Sequence, residues 1–398
     1  MESISLGAVA LLILSFALVS FPIQRSYLTP PMFFVLFGML VGPHGLGVID
    51  PDISSSVTKF VVEVTLILVL FCDGTRIQIP GTSRLDLTSF RLLFAGMGIY
   101  ILLGAVAAYF LFEGLGFWQG ALLAAVLAPT DAGLGEASIA DERVPLNVRN
   151  NINLESGLND GLAVPVLIFL MVCESLYAGA SEAQFWLGFA AREIGGGALA
   201  GVAVGLLGEW LLTSAQKNKT IMPSFQQLAG IALALLAYSS ADLCGGNGLI
   251  AAYLAGFSLG NARQGHHSSL LQFSHHQKEL FSLITFMFFG ALWVLPALKG
   301  ATWKTFLFAM LCLTVIRIVS VLLSMLGSSM PMKSKFYIAW VGPKGIASLL
   351  FGLIVLENFS VPHREEIFLI TTVTVFLSIF LHGLSAKFLV KLYDQKAD

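Results

Sequence analysis

Long apolar runs separated by short polar breaks fill the chain from end to end. A helix that crosses a bilayer needs about 20 mostly apolar residues. Runs of that kind fall at roughly 4–22, 31–48, 57–73, 88–112, 117–139, 148–177, 184–214, 223–242, 247–261, 276–297, 302–327, 333–357 and 364–392. The pattern predicts an all-α polytopic membrane protein with about thirteen transmembrane helices. The run at 247–261 is short enough to be tilted or partly re-entrant. The first run carries Glu2 in place of a basic flank and lacks a small-residue cleavage pattern. It is therefore expected to be a retained helix rather than a leader.

Two runs are interrupted. The fifth reads LLAAVLAPTDAGLGEASIA, with Pro129, Thr130 and Asp131 in its middle. The twelfth reads FYIAWVGPKGIASLLFG, with Gly342, Pro343, Lys344 and Gly345 in its middle. These are matching positions if the halves, approximately 1–178 and 223–398, are inverted repeats linked by the helix 184–214. Paired broken helices point to a transporter site near the membrane midplane. The backbone groups freed at such breaks must line a cavity or be buried in protein. The whole chain, 1–398, is thus expected to form a single transmembrane domain, with two broken crossing helices and no soluble regulatory domain.

Composition sharpens this reading. Only 12% of residues are charged, 56% are hydrophobic and the net charge is −2, with a mean hydropathy of +0.83. Soluble domains carry about 25% charged residues, so a soluble enzyme does not fit. A nucleic-acid binder would need a basic face, which is lacking. Cys72, Cys173, Cys244 and Cys312 lie in apolar stretches with no CxxC spacing. They are expected to be small buried residues, with no zinc site or disulfide framework. With the N-terminus outside, alternation places most Lys and Arg on one side. That places the C-terminus in the cytoplasm of a cell (inner) membrane.

Charges inside apolar runs cost at least about 2.5 kcal/mol each and tend to be functional. Asp131, Glu155, Asp160, Arg317 and Lys344 stand out, with Asp73 at the end of the third run. In NINLESGLNDGLAVP, Glu155 and Asn159 share one helix face, and Ser156 and Asp160 share another. Glu155 and Asp160 point about 140° apart. One carboxylate can then face a cavity while the other is held by a structural partner. A carboxylate flanked by a hydroxyl and free carbonyls suits an alkali cation or a proton. At the breaks, Asp131 can offset a positive helix N-terminus and Lys344 a negative C-terminus.

The run PTDAGLGEASIADERVP…NINLESGLNDG resembles the Na+/H+ antiporters of the cation/proton antiporter superfamily. It is most similar to the Asn-Asp branch, the NhaP and sodium/hydrogen exchanger group. The resemblance covers nearly the whole chain and implies the antiporter fold of that group. It implies that Asp160 alternately carries a cation or a proton, with Ser156, Asp131 and the Thr130 carbonyl completing a monovalent-cation site and Asp73 assisting. Glu155 would pair with Arg317, and Asn159 would be the partner asparagine of an electroneutral one-for-one exchanger. A homodimer is also implied, with no cofactor beyond the transported Na+ and H+. Two positions depart from the family pattern. Ala132 stands where a proline usually follows the aspartate, and Lys344 where the family usually has arginine; these leave ion preference open.

The rival readings are a K+/H+ antiporter on the same scaffold and a cation channel, for which no filter-like repeat is found. A membrane enzyme has no convincing nucleophile–histidine pair to support it. His266, His267, His275 and His276 are read as a solvated loop. The aromatic tenth run, FSLITFMFFGALW, is read as lipid-facing or interface packing.

Overall fold

The computed structural model describes residues 2–49, 51–77, 87–135, 141–177, 183–262, 268–358 and 361–393. Each of the thirteen predicted runs contains helix, the fifth over Phe117–Val126 and the twelfth as two separate helices. In chain order the helices are α1 (Glu2–Arg25), α2 (Pro30–Val41), α3 (Pro51–Arg76), α4 (87–111), α5 (Phe117–Val126), α6 (Leu146–Tyr177), α7 (Ala183–Lys217), α8 (Pro223–Leu243), α9 (Gly248–Ala262), α10 (268–300), α11 (303–324), α12 (Met332–Trp340), α13 (Ile346–Glu357) and α14 (Arg364–Val390). Prolines open α2, α3 and α8, where a missing N–H costs nothing. Among the described residues, six helices are long and apolar enough to cross a membrane by length and composition, and six apolar stretches are shorter. The run at 247–261 is a continuous 15-residue helix, α9.

Among the described residues, three helices contain a π turn: Leu92–Gly96 in α4, Phe289–Val294 in α10 and Cys312–Ile316 in α11. Apolar periodicity gives no sign of them. Such turns insert one extra residue and re-aim the side chains beyond it. The third ends immediately before Arg317.

The chain folds as two compact units. The first comprises Met1–Val62, Leu87–Ser156 and Ser282–Asp398; the second comprises Glu63–Asp86 and Gly157–Phe281. In the first unit, α5 is buried all round from Gly120 to Val126. The α14 residues Ile367, Ile370, Thr371, Val373 and Val375 are likewise buried. Close approach of α2 and α10 requires glycine: a β-carbon on Gly290 would run into the Val35 carbonyl, and one on Gly38 into that of Met287. In the second unit, α7 packs on α9 at the same spacing. Gly197, Gly201 and Gly205 lie against the backbone of Asn247, Ala251 and Ala255. Small residues every fourth position let two backbones meet where lipid supplies no hydrophobic drive. Leu199, Leu206 and Trp210 of α7 point outward.

Three expectations need correction. The aromatic tenth run is mostly interior: Phe286, Met287, Phe288 and Phe289 are buried, because the Gly290 contact draws this stretch of α10 onto α2. His275 and His276 belong to the helix Ser268–Phe288 rather than to a loop; His266 and His267 lie outside the described residues. Cys72 and Cys312 are buried as expected, but Cys244 is exposed and Cys173 half-buried.

Candidate functional site

Both predicted breaks are present, and in the first unit they meet. After α5 the backbone leaves the helix at Leu127 and runs through Ala128, Pro129 and Thr130 to Asp131. After α12 it leaves at Val341 and re-enters a helix at Ile346. The Asp131 N–H donates to the Pro343 carbonyl at 2.8 Å, which ties one break to the other.

Each break then supplies charge to the other's helix end. Lys344 Nζ donates to the Ala128 carbonyl at 3.0 Å, at the C-terminal end of α5. Asp131 Oδ2 accepts from the Ile346 N–H at 3.4 Å, at the N-terminus of α13. Its other oxygen accepts from the Gly133 N–H at 2.9 Å. A cation at a C-terminus and an anion at an N-terminus are each worth about 0.3–1 kcal/mol, and up to about 2 kcal/mol when partly buried. Lys344 is fully buried. Its ammonium lies 4.4 Å from the Tyr100 ring centroid, where the π face favours a desolvated cation. Its own N–H donates to Ser378 Oγ at 2.6 Å.

α6 starts beside this crossing. The Ser156 hydroxyl donates to the Thr130 carbonyl at 2.7 Å. Of the residues the resemblance assigns to the cation, Thr130, Asp131 and Ser156 therefore come together in the first unit. Glu155 faces elsewhere. It accepts two hydrogen bonds from Arg317, at 2.6 and 2.9 Å, and both side chains are about nineteen-twentieths buried. The guanidinium also packs under Gly342 in the second break, where a β-carbon would strike it. This two-pronged pair is the strong form of a charge-assisted bond.

Asn159 and Asp160 follow one turn along α6 and belong to the second unit. Both are buried. The Tyr253 ring of α9 packs against Gly161, so that position takes no side chain. The Tyr253 hydroxyl lies within electrostatic reach of both Asp160 and Asp73. Asp73, near the end of α3, is held by Lys278 of α10, whose Nζ lies 2.6 Å from Asp73 Oδ1. Arg76 is more distant, at 3.9 Å.

Lys278, Tyr253, Tyr100 and Ser378 were missed by sequence reasoning. Lys278 left a usable signal. It sits two residues inside the apolar run 276–297, a costly place for a lysine unless an acid meets it. The other three are uncharged, and only the packing singles them out. Among the described residues, no group of three His, Cys, Asp or Glu side chains is placed to hold a metal ion.

Apolar helices, two of them interrupted and crossing at their breaks, with charges buried beside the crossing, define a polytopic membrane protein of the transporter class. Comparison with known proteins gives the family. The chain matches the transmembrane sodium/hydrogen exchanger family over residues 10–392 and belongs to it. It is 28% identical over 357 residues to the K(+)/H(+) antiporter NhaP of Alkalimonas amylolytica, covering 88% of this chain and 60% of that one. It is 24% identical over 392 residues to the Na(+)/H(+) antiporter of Schizosaccharomyces pombe, covering 89% and 82%. The chain thus spans about three-fifths of the length of its NhaP relatives. Its fold matches the structure of the sodium proton antiporter MjNhaP1 from Methanocaldococcus jannaschii at pH 8. The TM-score is 0.79 at 23% identity, over 99% of both chains.

Proposed function

We propose that this protein is a secondary antiporter that exchanges a monovalent cation, Na+ or Li+, for H+, with Asp160 alternately binding the cation or the proton. The observation that carries the reading is a buried aspartate, Asp160, in the ESGLND run of a chain of this family. A carboxylate that can hold one ion or the other, never both, couples the two fluxes. Thr130, Asp131 and Ser156 are the oxygen donors in this reading; the Ser156 hydroxyl already rests on the Thr130 carbonyl. Hard oxygen ligands suit an alkali cation. Glu155 and Arg317 brace α6, Asn159 stands beside Asp160, and Lys344 and Asp131 hold the crossing.

The exchange is one-for-one and electroneutral, and it serves pH homeostasis. The protein works as a homodimer in the inner membrane, with its N-terminus outside and its C-terminus cytoplasmic. Inverted repeats over approximately 1–178 and 223–398, linked by the helix 184–214, alternate access to the two sides. No enzymatic step or cofactor is involved. K+/H+ exchange is a second reading, favoured by the NhaP relatives, which are K(+)/H(+) antiporters.

The test is a proton gradient imposed on proteoliposomes with a pH dye inside, followed by external Na+, Li+ or K+. Wild-type protein is expected to dissipate the gradient on cation addition, unaffected by clamping the voltage at zero. Asp160→Ala is expected to be silent, and the most effective ion names the substrate. Equal activity in Asp160→Ala would remove the site assignment. Wild-type silence toward every cation, in folded protein, would remove the antiport reading.

A further inference from the structure

Lys278 is a half-buried cation with no part in the exchange as described so far. Its ammonium sits on Asp73 Oδ1 at 2.6 Å; the Asp73 side chain is 6% exposed and that of Lys278 19%. Asp73 lies close to the exchange carboxylate within the second unit. The Asp73 carbonyl faces Gly157 of α6, Gly74 is pressed against the Tyr253 carbonyl, and the Tyr253 ring packs on Gly161, next to Asp160. The Tyr253 hydroxyl feels the charge of both carboxylates without hydrogen-bonding to either.

The chemistry of the two side chains decides what the pair can do. An ammonium is a compact single positive charge on a flexible four-carbon stem, whereas a guanidinium is a rigid fork. Lys278 meets Asp73 through one atom pair, while Arg317 grips Glu155 through two. A small monovalent cation carries the same charge in a similar volume. It can therefore take the place of the ammonium on Asp73 without leaving a buried carboxylate uncompensated, the outcome that makes breaking such pairs costly.

We infer that Lys278 is a tethered cation that occupies Asp73 in competition with the transported one, a positioning residue that sets the apparent cation affinity. The inference rests on the antiport reading. The ammonium satisfies Asp73 while no ion is bound; an arriving cation displaces it and gains Asp73 as a further attraction beside Asp160. Without the ammonium, Asp73 attracts the cation from the outset.

The test measures cation-dependent exchange in proteoliposomes at alkaline pH, where carboxylates stay ionised. Lys278→Met is expected to lower the cation KM about tenfold and to leave kcat within about twofold. Lys278→Gln serves as a second variant should the methionine fold poorly. Lys278→Arg keeps the charge and grips harder, so its KM is expected at or above the wild-type value. Asp73→Asn added to Lys278→Met is expected to return KM toward wild type, because the vacated carboxylate is gone. A merely structural pair would lower kcat or folded yield in Lys278→Met with KM unmoved. An unchanged or raised KM in active Lys278→Met and Lys278→Gln overturns the inference while exchange itself survives. Absence of exchange by wild-type protein overturns the antiport reading and this role with it.

Discussion

Glu155 and Asp73, both buried, are each paired with a cation, and they are paired differently. Glu155 is clamped by both terminal nitrogens of Arg317, which also packs under Gly342 of the second break. Asp73 is touched by Lys278 through a single contact, and the lysine retains some exposure. The first pair belongs to the unit that holds the crossing breaks, the second to the unit that holds Asp160. A bidentate fork fixes geometry, whereas a point charge on a flexible stem can be exchanged for another point charge. In the proposed exchange, the contrast separates a brace from a competitor.

Removing the brace is expected to give the largest effect. Arg317→Met leaves Glu155 buried without its cation, a situation that costs about 3–5 kcal/mol. Thermal unfolding in detergent should show a large fall in Tm, or no folded protein at all. Arg317→Lys should restore only part of it, because a lysine cannot reproduce the fork. Lys278→Met should lower Tm distinctly less than Arg317→Met. Equal losses would erase the distinction between the pairs.

An intermediate effect is expected at the crossing. Lys344→Met leaves the Ala128 carbonyl without its donor and removes the charge from the end of α5. The loss of one buried hydrogen bond of this kind is worth about 1–3 kcal/mol. The same unfolding measurement checks it, and a Tm unchanged in Lys344→Met would mean that the crossing is held by backbone alone.

The smallest effect lies at an exposed pair that anchors nothing buried. Arg143 grips Asp141 in the connection before α6 and holds its carboxyl at about 2, below the ordinary carboxylate range, mainly through their hydrogen bond. The pKa is depressed in the folded protein, so the stabilisation is present above the unfolded value of about 4. It is lost as pH falls toward 2. Solvent screening keeps its worth below about 1 kcal/mol. Arg143→Ala should therefore shift Tm only slightly at neutral pH, with the difference vanishing in strong acid. A shift as large as that of Lys344→Met would show that this connection carries structural load.

Much of the fold was legible because membrane burial writes itself into composition. The apolar runs hold the helices, although the second ends at Val41 and the fifth at Val126, and the prolines and glycines of APTD and VGPKG marked both breaks. Glu155 and Arg317 were readable as buried charges in need of partners, and the structure joins them. Lys278 was read only as a basic residue for orientation, because sequence alone does not say which acid a lysine meets. The burial of Phe286, Phe288 and Phe289 was misjudged for a related reason. Hydropathy does not distinguish lipid from protein as an apolar surrounding, and the close approach at Gly290 decided it. The three π turns were invisible, since one extra residue in a long apolar helix leaves periodicity almost unchanged.

The sequence by itself determined the all-helical membrane architecture, the places where helices break and the charges that must be held. Those follow from local chemistry: the cost of a bare backbone group or charge in hydrocarbon is paid at the residue that bears it. Only the tertiary structure decided which partners meet. Lys344 reaches the end of α5, Asp131 the start of α13 and Lys278 takes Asp73, whereas the Arg317–Glu155 pair was already implied by the family resemblance. Each pairing joins residues far apart in the chain, and which helices approach closely enough to make it is set by packing at small residues rather than by any local signal.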